Sequence, residues 1–195
     1  MNAPYPIPQP DTAAILNALA ALYPPDAVIE LRSFAKGRKR TDSGYFDGEH
    51  RQALAEHAAL LNRTGATVYV TLNPIDPQLL SRYANRIESG AAATTTDGQV
   101  TGRRWLLLDF DPTRPTDTSA TDAQLEGAKA AARACWQALQ AECWPDPLAA
   151  ESGNGFHLLY ALDLPNESYC SGEYECMLQK LQEVEILPPD RRPID

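Results

Sequence analysis

The sequence predicts a mixed α+β fold, built as a single domain over residues 1–195. Short apolar runs of strand length alternate along the chain with segments in which apolar residues recur at helical spacing. With 195 residues, of which 44% are hydrophobic, the chain is long enough to bury one substantial core. We therefore expect strands and helices to pack around a common core.

The first half of the chain predicts three helices and two strands. Asp11 is a typical N-cap residue, and the pair Pro24-Pro25 ends the helix that begins there, because proline cannot continue a helix. In chain order, the predicted elements are a helix at residues 11–22, a strand at 28–32, a helix near 49–62, a strand at 67–72 and a helix at 77–87. The following segment, 91–98, shows no periodicity and is predicted to form a loop.

The second half predicts two strands separated by a long helix. The run at 104–110 is short, strongly hydrophobic and closed by a proline, which indicates a buried, central strand. Thr121 and Gln124 have the spacing of a capping box, and apolar residues at helical spacing follow them: Leu125, Ala128, Ala132, Trp136 and Leu139. A second strand is predicted at 156–162 and a last helix at about 175–184.

Two carboxylates end the first of these strands. Strand side chains alternate between faces, so Asp109 and Asp111 project to one side while Phe110 points to the other. Two carboxylates this close repel each other, and ionising both is costly without a cation between them. Hard oxygen ligands suit Mg²⁺ or Mn²⁺ better than zinc. The alternative is that the pair caps a strand at the surface.

A glycine-rich turn leads into the second strand. The run Ser152-Gly153-Asn154-Gly155 is predicted to deliver His157 to the start of that strand. Glycines let backbone amides approach an anion closely, and an imidazolium beside them can pair with phosphate oxygens. Taken alone, the motif is also compatible with an ordinary turn and a core histidine. Together with the aspartates, it predicts that Asp109, Asp111 and His157 converge on one open sheet face.

The order of these motifs resembles the catalytic core of the archaeo-eukaryotic primase superfamily. An Asp-x-Asp strand is followed by Ser-Gly-x-Gly-x-His, as in the primase-polymerase domains of phages, plasmids and mobile elements. Three further segments agree with this family: residues 38–46, 69–74 with 85–86, and 103–112. The resemblance covers roughly residues 28–166. It implies an N-terminal α/β unit at about 11–90, beside an RRM-like sheet at about 100–195 that carries both motifs.

The resemblance also implies roles for particular residues. It implies DNA primase or DNA polymerase chemistry, that is, template-directed nucleotidyl transfer in the replication of a mobile element. The implied partners are nucleoside triphosphates, a single-stranded DNA template and a replicative helicase. The implied catalytic residues are Asp109, Asp111 and His157; the nucleotide-binding residues are Ser152, Gly153, Gly155 and His157; and the ligands of Mg²⁺ or Mn²⁺ are Asp109, Asp111 and Asp195.

Charge is unevenly distributed along the chain. The formal net charge of −9 argues against a generally basic surface, but contacts with phosphates are local. Six of the 17 basic residues lie within 20 positions: Arg32, Lys36, Arg38, Lys39, Arg40 and Arg51. Beside a phosphate-transfer site, Arg38, Lys39 and Arg40, together with Arg103, are predicted to contact nucleic acid. A solvated basic loop is the alternative.

The sequence shows neither a signal pattern nor an apolar stretch that approaches membrane-spanning length. We therefore expect a cytoplasmic protein without a membrane partner. The four cysteines include no Cys-x-x-Cys pair, which favours packing or surface thiols over a zinc site.

The family pattern fades at the C-terminus. The third family motif, a hydrophobic residue followed by aspartate on a later strand, is matched only by Ile194-Asp195 at the end of the chain. The chain therefore resembles a C-terminally truncated member, which leaves two alternatives. One is a catalytically inactive accessory protein that binds nucleic acid. The other is a haloacid-dehalogenase-like phosphatase, because Asp109-Phe110-Asp111-Pro112-Thr113 also fits the Asp-x-Asp-x-Thr motif in which the first aspartate is a nucleophile.

Overall fold

A computed structural model describes residues 10–35, 37, 39–115 and 118–166, with the side chain of Asp163 left out. Over these residues the chain has an α+β fold with two antiparallel three-stranded sheets and three α-helices. The predicted α+β class is confirmed. The chain divides into two compact units, residues 1–101 and 102–195.

The N-terminal unit is built on an antiparallel sheet with the strand order β2-β1-β3. Its elements are α1 (Thr12–Leu22), β1 (Ile29–Phe34), β2 (Thr41–Phe46), α2 (Arg51–Arg63) and β3 (Thr67–Val70). The predicted cap of α1 is present, because the Asp11 carboxylate accepts a hydrogen bond of 2.8 Å from the Ala13 amide.

Helices α1 and α2 cover one face of this sheet. Their apolar side chains enclose the inward-pointing residues of β1 and β2 in a core that includes Leu19, Ile29, Leu31, Phe46 and Leu54. A smaller cluster forms on the opposite face, where the segment that follows β3 packs Ile75 and Leu79 against Tyr45. The N-terminal sheet is therefore covered by two helices on one face and by a loop segment on part of the other.

The prediction of a helix at residues 77–87 is wrong beyond its first turn. The structure has a short 3-10 helix at Pro77–Ser81, and the chain then runs beside β2. The Tyr45 amide donates to Tyr83 O at 3.2 Å, and the Asn85 amide donates to Tyr45 O at 2.7 Å. Asn85 has a φ of 53°, which an α-helix does not allow. Pairing with the sheet replaces the helical hydrogen bonds here, and β2 itself was not predicted.

Glu30 is the centre of a buried polar network on the partly covered face. Its side chain is fully buried, and it accepts hydrogen bonds from the Ser43 hydroxyl at 2.6 Å, the Thr95 amide at 3.1 Å and Arg32 Nη2 at 2.8 Å. Burial alone would raise the pKa of Glu30, but these three hydrogen bonds and the charge of Arg32 outweigh it and hold the pKa below the ordinary value of 4.5. The network thereby fastens the segment around Thr95 to the sheet.

Glu30→Gln is expected to lower the free energy of unfolding at pH 7 by about 1–3 kcal/mol, because the Arg32 guanidinium loses its charged partner. A lowered folded-state pKa means that this stabilisation is present above the unfolded pKa and is lost as the pH falls through the folded pKa. Urea unfolding at pH 7 and at steps below pH 4.5 should therefore show wild type and variant converging in acid. The exposed Glu56→Gln is the control. A difference that stays constant down to pH 3 would contradict this account.

The C-terminal unit is a second antiparallel sheet with one long helix on it. Its elements are β4 (Gly102–Phe110), α3 (Asp122–Ala141), β5 (Leu148–Glu151) and β6 (Phe156–Pro165), with the strand order β4-β6-β5. The predicted capping box of α3 is present: the Gln124 amide donates to the Thr121 hydroxyl at 3.3 Å, and the Gln124 side chain accepts from the Thr121 amide at 2.9 Å. Helix α3 begins where the sequence predicted it.

Helix α3 and one face of the sheet share a closed core. Ala132, Cys135 and Leu139 of the helix pack against the sheet residues Leu106, Leu108, Leu158 and Tyr160. Burial raises the pKa of the Cys135 thiol to about 11, so this thiol is a packing group, as the cysteine pattern predicted. The predicted helix at 175–184 lies outside the described residues.

The prediction that 104–110 is a central strand is wrong for the described part of the chain. There, β4 pairs with β6 alone, and β6 is the middle strand. Leu106 and Leu108 of β4 are buried because α3 covers the sheet face to which both point, and an edge strand can be buried in this way without a second hydrogen-bonded neighbour. Among the described residues, the helices are too short or too polar to cross a bilayer.

Candidate functional site

The pairing of β4 with β6 brings Asp109 and His157 together. The two residues are direct cross-strand partners in the antiparallel register. His157 Nε2 lies 3.3 Å from Asp109 Oδ1, and the two side chains keep 33% and 25% of their surface exposed. The pair is therefore in contact and also open to a ligand from solvent.

Alternation along both strands decides which face carries this pair. Leu108 and Phe110 of β4 and Leu158 of β6 pack toward α3. Asp109 and His157 occupy the alternate positions and project from the opposite face. The two polar residues thus lie on the face of the sheet that α3 does not cover.

Asp111 follows the last residue of β4 and is the more exposed of the two carboxylates. Its side chain retains 42% of its surface, and Asp111 Oδ2 lies 3.8 Å from Arg114 Nη2. The arginine is held in turn by a hydrogen bond of 2.6 Å from its Nη1 to Thr118 O. A positive charge therefore lies beside Asp111, the more accessible of the two carboxylates.

The glycine-rich segment forms a tight turn closed by Ser152. The Ser152 amide donates to Gly155 O at 3.0 Å, and the Ser152 hydroxyl accepts from the Gly155 amide at 2.9 Å and from the Asn154 amide at 3.4 Å. Gly153 adopts a φ of +81°, which favours glycine. Since Gly155 N–H is used within the turn, the predicted contact of a phosphate with this amide requires the Ser152 hydroxyl to move away.

Gly155 lies against the end of β4. A Cβ atom at this position would overlap the Asp111 carboxylate and would lie 2.5 Å from Phe110 O. Only a residue without a side chain lets the turn approach the strand this closely. The turn that contains Ser152 and Gly153 is therefore in contact with the Asp-x-Asp segment.

The sequence patterns did not predict the roles of Arg114 and Asn154, which help to shape this site. Arg114 contacts Asp111, and Asn154 Oδ1 accepts a hydrogen bond of 3.0 Å from the Ala120 amide, which ties the turn to the loop before α3. An arginine three residues after Asp111 was a readable signal, because that spacing within a short loop allows an ion pair. The role of Asn154 had no such signal, since its partner lies 34 positions away.

Asp109 and Asp111 are the described residues of this site whose oxygen atoms are of the type that ligates Mg²⁺ or Mn²⁺. Magnesium is commonly held by one or two carboxylates together with water and substrate phosphates, and Asp109 and Asp111 offer two carboxylates near one strand end. Across residues 10–35, 37, 39–115 and 118–166, no group of three or more His, Cys, Asp or Glu side chains is placed to hold a metal. Asp195, the third predicted ligand, lies outside the described residues.

No family model matches this chain, and no curated protein or solved structure is significantly similar to it. The resemblance of its motifs to those of primase-polymerases is therefore still a hypothesis. The structure adds two contacts that bear on this hypothesis: Asp109 meets His157 across the two strands, and Gly155 of the turn lies against Asp111.

The predicted nucleic-acid contacts fall in both units. Lys39 and Arg40 line a cavity of about 280 Å³ in the N-terminal unit, together with Thr41 and residues 90–94. Arg103 lies on β4, opposite Leu164 of β6. Arg38 lies outside the described residues. The cavity offers two cations, Lys39 and Arg40, to one ligand.

Proposed function

We propose that this protein is a metal-dependent nucleotidyltransferase of the primase-polymerase type, which synthesises or extends a primer on a single-stranded template. The observation that carries the proposal is the contact between Asp109 and His157 across β4 and β6. It joins the two separate motifs, the Asp-x-Asp segment and the Ser-Gly-x-Gly-x-His turn, at one end of one sheet. The antiparallel register sets the end of β4 opposite the start of β6, so both motifs can act on one ligand.

In the proposed reaction, the 3′-hydroxyl of the primer attacks the α-phosphorus of a nucleoside triphosphate. The new phosphorus–oxygen bond forms as the bond to pyrophosphate breaks, and the hydroxyl proton passes to solvent. Divalent metal, when bound, activates the hydroxyl and stabilises the charge on the departing pyrophosphate. Asp109 and Asp111 supply oxygen ligands for it, and their partial exposure leaves room for the triphosphate.

His157 has two possible anionic partners in this scheme. Its Nε2 faces the Asp109 carboxylate in the absence of substrate. As an imidazolium, it can pair instead with a triphosphate oxygen, since charge-assisted hydrogen bonds of this kind are strong. The cation Arg114, held beside Asp111 by Thr118, is a second group that can meet the triphosphate. These residues bind and orient the nucleotide.

Two measurements on the unaltered protein test the proposal. Calorimetry should show nucleoside triphosphate binding that requires Mg²⁺ or Mn²⁺, and a gel assay should show nucleotide addition to a primer on single-stranded DNA with Mn²⁺. Binding that is indifferent to metal, with no addition product, would favour the inactive accessory interpretation. Transfer of phosphate from a phosphate monoester to Asp109, detected as an acyl phosphate by mass spectrometry, would identify a phosphatase instead.

A further inference from the structure

Two aromatic side chains are exposed side by side on the N-terminal sheet. Phe34 on β1 retains 43% of its surface and Tyr69 on β3 retains 56%. Their ring centroids are 5.7 Å apart, with an interplanar angle of 72°. An exposed pair of rings in mutual contact offers an apolar surface on which a ligand can pack.

The strand register explains why this pair faces outward. Ile29 and Leu31 point to the helices, so Phe34, three positions after Leu31, points to the opposite face. Tyr69 is the cross-strand partner of Arg32 and lies on that same face. The segment around Thr95 covers the face at the Glu30 end of β1, and the rings lie toward the other end.

The cavity lined by Lys39 and Arg40 lies next to these rings. Thr41, which lines the cavity, is the cross-strand partner of Phe34. Residues 90–94 form another wall of the cavity. The loop that carries them is bonded to β2, because Asp42 Oδ1 accepts hydrogen bonds from the Gly90 amide at 2.8 Å and from the Ser89 hydroxyl at 3.0 Å. These hydrogen bonds hold the loop that carries residues 90–94 against the end of β2.

The charge of this region is opposite to that of the whole chain. Between Glu30 and Asp42 the sequence contains five basic residues and no acidic one, although the formal net charge is −9. Within the described residues, neither Lys39 nor Arg40 forms an ion pair. Two cations that line one cavity, neither of them paired with a carboxylate among the described residues, suit an anion such as phosphate.

We propose that this surface binds single-stranded nucleic acid. Bases stack on Phe34 and Tyr69, and a backbone phosphate enters the cavity at Lys39 and Arg40. Alternating phosphates and unpaired bases require this combination of cations and aromatic faces, whereas a duplex hides its bases from such stacking. The identity of this strand as the template rests on the proposed function, but the binding itself does not.

Fluorescence anisotropy with a labelled oligothymidylate in EDTA at low salt tests the proposal without any catalysis. Tyr69→Ser and Phe34→Ser are each expected to weaken binding about tenfold, because each removes a stacking surface. Tyr69→Phe keeps the ring and should retain binding. Leu60→Ser, which removes an exposed apolar side chain from α2, is the matched control. Thermal melting of each variant separates lost binding from lost folding.

The cavity is tested by the salt dependence of the same measurement. Lys39→Gln combined with Arg40→Gln should weaken binding and reduce the slope of log affinity against log salt by about one, because fewer counterions are released. Arg63→Gln, a charge removed from the exposed end of α2, should leave the slope unchanged. A double variant with the wild-type slope would overturn the assignment of the cavity.

Other outcomes would overturn the proposal as a whole. These are no binding at low salt, equal binding of duplex and single strand, or equal effects of Tyr69→Ser and Leu60→Ser. A wild-type dimer that Tyr69→Ser converts to a monomer would identify the surface as an interface between copies. The proposed function and this surface can fail separately. If the wild-type protein shows no nucleotidyl transfer, while oligonucleotide binding depends on Tyr69 and is unchanged in Asp109→Ala and Asp111→Ala, then only the proposed function is refuted. If the wild-type protein transfers nucleotides but binds the oligonucleotide equally well with Tyr69→Ser, then only the assignment of this surface is refuted.

Discussion

Asp109→Ala and Asp111→Ala are each expected to lower the rate of metal-dependent nucleotide addition by at least about 100-fold. Losing a group that only orients a metal ligand already costs about 10–100-fold in activity or metal affinity, and these variants remove the ligands themselves. Both side chains are partly exposed, so the substitutions should change the folding free energy little. The measurement is the initial rate of primer extension with Mn²⁺, alongside thermal melting.

The matched control for these variants is Glu126→Ala. Glu126 is an exposed carboxylate in the same unit, on α3, and its side chain retains 73% of its surface. It should lower the net negative charge as Asp111→Ala does, with no effect on the rate. If both aspartate variants extend a primer at the wild-type rate, then the activity does not use this site and the two-carboxylate mechanism is wrong.

Gly155→Ala is expected to damage both stability and activity. Its Cβ would overlap the Asp111 carboxylate and press on Phe110 O, and the second of these is backbone that cannot rotate away. Relieving such an overlap costs about 1–3 kcal/mol. The turn must then move away from β4, which displaces Asp111 from its place beside the turn. We expect a lower urea midpoint and a large loss of primer extension.

Gly127→Ala separates the steric effect from the general effect of replacing a glycine. Gly127 lies in α3, where an added Cβ would meet no atom within 4 Å. Alanine should therefore stabilise the helix by about 0.5–1 kcal/mol and leave activity unchanged. Wild-type stability and activity in Gly155→Ala would show that the turn does not need its close approach to β4.

These two predictions concern different parts of one arrangement. The aspartates provide the chemistry that the motifs suggested, and the glycine provides the contact that lets the turn reach them. A protein with intact aspartates but a displaced turn should still bind divalent metal while it fails to place a triphosphate. Calorimetric titration of metal and of nucleotide into Gly155→Ala would separate those two losses.

The sequence by itself determined much of the local structure. The Asp11 cap and the Thr121 capping box act through bonds to residues two or three positions away, so their effect can be read from the chain alone. The apolar run before Asp109 predicted a strand, and that strand is β4. Alternation along a strand also predicted that Asp109 points away from the face to which Leu108 and Phe110 point. The α+β class followed from the same short-range patterns.

Tertiary structure decided the features that depend on distant pairing. Residues 82–87 contain no strong strand signal. They run alongside β2 because the backbone N–H and C=O of Tyr45 form hydrogen bonds with Tyr83 and Asn85. Glu30 and Thr95 are 65 positions apart, and no local pattern announces their hydrogen bond. The edge position of β4 among the described strands likewise depends on which strands pair. Hydrophobicity cannot specify this, because burial of a sheet face and pairing of a strand edge are separate events.

The candidate site shows the same division. The sequence indicated which side chains carry charge and which residues can form the turn at Ser152. Only the register of β4 against β6 made Asp109 the partner of His157, and only the packing of Gly155 on β4 brought the turn to Asp111. A shift of one residue in that register would send His157 to the α3 face, because neighbouring strand residues point to opposite sides. Residue identity set the available chemistry, and long-range strand pairing set its geometry.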